Sequence, residues 1–268
     1  MTRVRWAAGT LAALMVASIA AAWLAPGAQD VLDLANRRAA PSLEHWFGTD
    51  ELGRDLVVRV LFGARVSLAV GLLSALVAGA LGVAIGAASG FAGGAIDGVL
   101  MRFTDAALSV PRLLLLMAAA AVFQPSVPQL VLLVGAVGWM ETARVTRAAF
   151  LSARDREFVL AARASGASPA RLIGAHLLPN AAGPIIVSMT LAVGRGILLE
   201  SALSFFGVGV QPPAASWGSM LYQAQTTMST EPWLALVPGA FIFVTSVAIN
   251  VLGDELSAGR RSGQSASG

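Results

Sequence analysis

The sequence predicts an all-α fold, a polytopic integral membrane protein with six transmembrane helices. Three observations carry that prediction. Of 268 residues, 56% are hydrophobic and only 12% charged, against roughly 25% charged in a soluble domain. Mean hydropathy is +0.74, more apolar surface than a core of this size can hide, so lipid must solvate much of it. The apolar residues also fall in long charge-free runs divided by polar stretches.

Trp6 to Leu24 holds no charge, and as a helix it reaches about 29 Å, enough to cross a bilayer once. A signal peptide would also open on basic residues such as Arg3 and Arg5, with Ala20, Ala21 and Ala22 offering a cleavage site, but its apolar run would be about 7 to 15 residues. The longer run favours an uncleaved helix. With the loop that follows it forms a first region, 1–65. In that loop Asp50 to Arg65 is amphipathic, with Leu56, Val57, Val60 and Leu61 on one side and Arg54, Arg59 and Arg65 on the other. It has two readings, an interfacial helix or a platform for an external protein.

A core over 66–256 supplies the other five spans, at about 66–91, 106–123, 127–141, 184–206 and 233–252. The first of these carries Gly71, Gly79, Gly82, Gly86 and Gly90, which suit close helix approach. In the next, Pro111 and Arg112 place the true helix start at the proline. Pro125 and Pro128 mark a tight turn before 127–141. Pro184 opens the fifth span, with Pro179 ending the segment before it. A tail over 257–268, rich in Ser and Gly, is expected to be disordered.

Orientation follows from the arginines. Glu141 to Gly183 holds six Arg against three acids, which marks the inside. Gly207 to Pro232 holds no Arg and reads as an outer loop. Both termini are then cytoplasmic, with Arg3, Arg5, Arg260 and Arg261 in agreement.

The inner loop, 142–183, is too long for a simple connection. Asp155 to Ser165 is free of helix breakers, and Phe158, Ala161, Ala162 and Ser165 recur at helical spacing as a small, flat face. Gly166 stops that helix. Ser168 and Pro169 open a second as N-cap and first helical residue. Three readings compete: a pair packed under the bundle, a DNA-reading helix-turn-helix, which a membrane anchor disfavours, and a docking helix for a cytosolic partner, with arginines such as Arg163 steering an acidic one.

Composition excludes several chemistries. All 18 basic residues are Arg, so the phosphate-binding lysine of a P-loop and any Schiff-base lysine are missing. There is no Cys, hence no disulfide or thiolate chemistry. His45 and His176 stand far apart with no acidic ligand spacing around them. The sequence therefore assigns no catalytic, cofactor-binding or metal-binding residue. The pI near 10.8 reflects a net charge of only +3, and no nucleic-acid partner is expected.

Several stretches resemble the permease subunits of ABC importers, in the dipeptide, oligopeptide and nickel branch. Leu160-Ala161-Ala162, Gly166, and Ile173 with His176, Leu177, Leu178, Pro179 and Asn180 are similar to that family's EAA loop. His45 to Asp55 ahead of Gly63 to Leu68, and Leu203 to Gly209 followed by Gln211-Pro212-Pro213 and Ser216-Trp217-Gly218, narrow the branch. Their order after a single helix resembles the second, C-type permease of a pair. The resemblance implies a type I permease architecture in the bacterial inner membrane, surrounded by lipid. It implies a heterodimer with a homologous permease, two cytosolic ATPases carrying ATP and Mg, and an external solute-binding protein. The cargo it implies is short peptides, with nickel or another small solute as the alternative. An ion-coupled secondary transporter is the rival class, and Glu200 alone is a thin basis for it.

The residues implied to receive the ATPases are Glu157, Leu160, Ala161, Ala162, Arg163, Gly166, Ser168 and Pro169. Leu160 stands where the family expects Glu, with Glu157 one turn earlier as a substitute. The chain end, Ser257 to Arg261, also departs from the family pattern. Arg195 and Glu200, charged within the fifth span, are the candidates for the translocation path. Each has a second reading: Arg195 as partner of the other permease or of a backbone carbonyl, Glu200 as a residue snorkelling to the outer interface.

Overall fold

A computed structural model describes residues 2–24 and 27–265, and among these helices account for all the regular structure beyond one isolated bridge. The long elements are α1 (Thr2–Leu24), α2 (Leu56–Ala92), α3 (Gly94–Ser109), α4 (Arg112–Phe123), α5 (Val127–Ala153), α8 (Leu178–Phe205) and α10 (Trp233–Ser265). Shorter ones are α6 (Glu157–Ala164), α7 (Pro169–Arg171) and α9 (Trp217–Ala224).

Four segments are long and apolar enough to cross a membrane: Arg3–Ala21, Leu56–Ala92, Pro169–Phe205 and Trp233–Ala258. α3 and α4 qualify together as a fifth, bent by 78° at Val110 and Pro111. α5 is the sixth expected span. It has 27 residues, but Glu141, Arg144 and Arg147 in its second half keep apolarity alone from marking it.

α2, α5 and α8 form the centre, and glycines set how closely they meet. A Cβ on Gly82 would lie 2.6 Å from the Trp139 carbonyl oxygen of α5, and one on Gly79 would lie 2.5 Å from Met189 of α8. The glycine run of α2 thus fits two neighbours, as small residues do where no hydrophobic force pulls membrane helices together. α10 packs on α8, and α1 lies outermost against α10 and α2.

Several boundaries differ from the sequence reading. Asp50 to Arg65 is no interfacial helix. Asp55 caps α2 by accepting from Val57 N at 2.8 Å, so the helix starts there, and Leu56 and Val60 are buried against Trp217 instead of facing lipid. Arg59, expected outward, is buried and paired with Asp50 at 3.3 Å; Arg65 is exposed. Pro179 and Pro184 end nothing: a π-helical turn, Leu172–Leu177, joins α7 to α8 in one rod. The widened turn relaxes the ladder just before Pro179, which falls in the first turn of α8, where proline is tolerated.

The stretch after Gly207 is also no simple loop, since it holds α9, with Trp217 fully buried. Finally, α10 continues as a helix to Ser265 where a disordered tail is expected, because extending a long helix adds a hydrogen bond per residue without a new nucleus. Residues 266–268, and the side chains of Arg260 and Arg261, lie outside the described residues.

Candidate functional site

α6 and the turn after it form the first site. Val159 is buried among Phe150 and Ala153 of α5 and Leu172 and Leu177 of the π turn, with Ala162 packed alongside. The inward face is therefore Val159 and Ala162, while Phe158, Ala161 and Ser165 of the small, flat face are exposed and its Ala162 is half-buried. The outward strip is Glu157, Leu160, Ala161 and Ala164, with Leu160 46% exposed. Phe158 is 38% exposed and stands beside His176, ring centroids 6.5 Å apart.

Gly166 ends α6 with φ +81. Its N–H donates to Arg163 O at 3.0 Å, and Ala167 N–H donates to Ala162 O at 3.1 Å. These two bonds make a Schellman motif, whose left-handed position glycine takes without a Cβ penalty. Ser168 then caps α7, accepting from Arg171 N, with Pro169 as first residue. Arg163, Gly166, Ser168 and Pro169 are all exposed. The predicted loop residues thus share one exposed surface, apart from the inward Ala162, carried on the ends of α5 and the α7–α8 rod.

The charges of the fifth span separate. Arg195 Nη2 lies 2.8 Å from Glu141 Oε2, and Arg112 Nη2 donates to Glu141 Oε1 at 2.9 Å. Glu141, counted in sequence as the start of the inner loop, is thus the shared partner of two arginines inside the helical bundle. The partner of Arg195 is in its own chain. The two arginines open on a cleft also lined by Ser74, Val134 and Ala192.

Glu200 neither snorkels nor faces that cleft. It is fully buried, accepting from Ser67 of α2 at 2.8 Å and from Ser204 at 2.7 Å. Ser67 in turn accepts from Trp217 N at 3.2 Å, and Ser204 from Val210 N at 3.0 Å. Glu200 therefore joins α2, α8 and the start of α9. Sequence reasoning missed this hub. Its only advance signals were the serines at positions 201, 204 and 216 and the apolar spacing of Trp217, Met220, Leu221 and Ala224.

The loop ahead of α2 is a knot of polar contacts. Thr49 accepts from Ala39 N at 2.8 Å, and Asp50 accepts from Leu52 N at 2.8 Å and Arg54 Nε at 2.6 Å. Gly53 takes φ +77, and His45 pairs with Asp55 at 2.9 Å. His45 and His176 therefore sit on different elements, each with its own neighbour. Further out, the Asn36 amide beside Asp33 holds its carboxyl below the usual range. Leu43 and Trp46 project from the knot, strongly exposed.

A multi-helix membrane subunit, whose spans carry a capped helical turn out between them, is the class these features define. Residues 82–261 match the binding-protein-dependent transport system inner membrane component family, and the chain belongs to that family. It is 40% identical to the dipeptide transport system permease protein DppC of Bacillus subtilis, over 91% of this chain and 76% of that protein. It is 37% identical to the oligopeptide transport system permease protein OppC of the same organism, over 84% and 73%. To DppC of Alkalihalophilus pseudofirmus the identity is 36%, over 83% and 73%. The chain is thus a multi-pass inner membrane subunit of a transporter, not an enzyme.

Proposed function

We propose that the chain is the C-type half of a paired permease that imports short peptides at the expense of ATP hydrolysed elsewhere. Its relatives are named for dipeptide and oligopeptide transport, which supports the cargo class. The partners are a homologous second permease, two cytosolic ATPases and an external solute-binding protein. The chain binds no cofactor, and ATP with Mg sits on the ATPases. Both termini and the α6 surface are cytoplasmic, with Leu43 and Trp46 on the outer side beside the binding protein.

The observation that carries this reading is the α6 turn. Glu157, Leu160 and Ala161 form an exposed strip, and the Schellman turn at Gly166 fixes its end. A push on that strip passes through Val159 to Phe150 of α5 and Leu177 of the rod. Packed helices transmit such a push as a rigid-body tilt between inward-open and outward-open states. Glu157 lies one turn before Leu160 on the same strip, so its carboxylate substitutes for the expected Glu.

The test is uptake and peptide-stimulated ATPase activity of the assembled transporter. A valine at Gly166 must adopt φ +81, at a cost of about 1–2 kcal/mol for a left-handed L-residue. Gly166→Val is expected to abolish coupling while the subunit still inserts, and Gly166→Asn, which tolerates that conformation, to restore most of it. Normal uptake with valine sinks the coupling assignment. Gradient-driven uptake by the chain without ATPases sinks the importer reading itself.

A further inference from the structure

Two guanidiniums that line the cleft between α2, α4, α5 and α8 share one carboxylate, that of Glu141. Arg112 and Arg195 against Glu141 leave a net charge of +1. Neither arginine makes a side-chain hydrogen bond to any other described residue. The side chain of Arg195 remains 37% exposed.

The cluster also lies deep. Arg195 is about 15 Å along α8 from Phe205, and Glu141 about 21 Å along α5 from Val127. An exposed cation at that depth is costly against hydrocarbon, so this face adjoins water or protein. Small residues, Ser74, Ala75, Ala78, Gly138 and Gly196, form much of the cleft wall beside the two arginines. Arg112 stands where the α3–α4 span is broken, and broken backbone at membrane depth belongs where it lines a cavity. The positive end of α4 adds to the same field.

We infer that Arg112 and Arg195 form a transit site for the C-terminal carboxylate of the peptide cargo. This inference rests on the peptide-import reading. A carboxylate entering the bundle loses hydration, and free guanidinium N–H groups replace it with charge-assisted bonds. Competition from Glu141 keeps the hold weak, as passage requires.

The experiment uses the complete transporter in proteoliposomes with saturating binding protein. It compares maximal uptake of a tripeptide bearing a free C-terminus with that of its C-terminal amide. The wild type is expected to favour the acid by roughly tenfold, the worth of one charge-assisted hydrogen bond. Arg195→Gln and Arg112→Gln are expected to bring the acid-to-amide ratio towards one, and Arg195→Lys to retain most of it. An unchanged ratio in both glutamine variants overturns the transit site while import stands. A wild type that moves neither peptide removes the import reading and the site together.

Discussion

Replacing Glu200 by alanine removes the acceptor on which α2, α8 and the approach to α9 converge. The carboxyl is fully buried and takes the Ser67 hydroxyl at 2.8 Å and the Ser204 hydroxyl at 2.7 Å. Both serines are committed elsewhere as acceptors, Ser67 to Trp217 N and Ser204 to Val210 N, so neither can turn away without breaking a second bond. Alanine leaves two buried hydroxyls without acceptors, at about 1–3 kcal/mol each, and opens a cavity besides. The hydroxyls alone account for about 2–6 kcal/mol, and the cavity adds to that. Glutamine keeps the shape and one acceptor oxygen, and costs about 1–2 kcal/mol. The assay is thermal unfolding of the solubilised transporter, followed by tryptophan fluorescence, for which buried Trp217 is an internal probe. At about 2–4 °C per kcal/mol for a chain near this size, alanine lowers the midpoint by on the order of 10 °C and glutamine by a few degrees. An alanine variant within about 2 °C of wild type, or a glutamine variant as damaged as alanine, refutes the hub.

Two further expectations follow from packing. Gly82→Ala puts a Cβ 2.6 Å from the Trp139 carbonyl and 2.7 Å from Thr142 Cβ, so α2 and α5 must part; the expected loss is about 1–3 kcal/mol in the same thermal assay. Gly98→Ala in α3 meets nothing within 4 Å and serves as a control, neutral or stabilising by up to about 1 kcal/mol. Trp217→Phe removes the bond from Nε1 to Val60 O at 3.0 Å. It is expected to cost about 1–2 kcal/mol, read as a lower midpoint by circular dichroism.

What the sequence made legible was local. The Gly166 turn, the Ser168 and Pro169 start, the break at Pro111 and the glycine run of α2 depend on residues within a few positions of one another, and the structure has each of them. What it hid was set by partners far along the chain. Glu141 looks like the edge of a basic loop until Arg112 and Arg195 come from other helices. Arg59 looks outward until Asp50 and Gln223 close over it. The amphipathic pattern at Asp50 to Arg65 is real, but its apolar side faces Trp217, and a pattern cannot say whether lipid or protein covers it. Of α6, the sequence placed the helix and a small face of which Phe158, Ala161 and Ser165 are exposed, but not the inward packing of Val159 and Ala162, whose partners on α5 and the π turn lie outside the helix.

α5 lies at the centre of the bundle yet falls short of a hydropathy criterion for a span. Its charged residues all have partners on other elements: Glu141 with Arg112 and Arg195, Arg144 with Asp105, and Arg147 with Asp97, Nη2 to Oδ2 at 2.6 Å. Ser89 of α2 joins the last pair. Hydropathy measures fitness for lipid, and a helix packed against α2, α3, α4 and α8 needs less of it. Charges that would be expensive in hydrocarbon are instead held in pairs, of which Arg144–Asp105 is the exposed one. The pairs also have a direction. Those at Arg144 and Arg147 tie α3 to the half of α5 that leads into α6, whereas Glu141 gathers α4 and α8 at the cleft. On the proposed coupling, a tilt of α5 driven from α6 reaches Arg112 and Arg195 through the same helix whose Glu141 pairs with them.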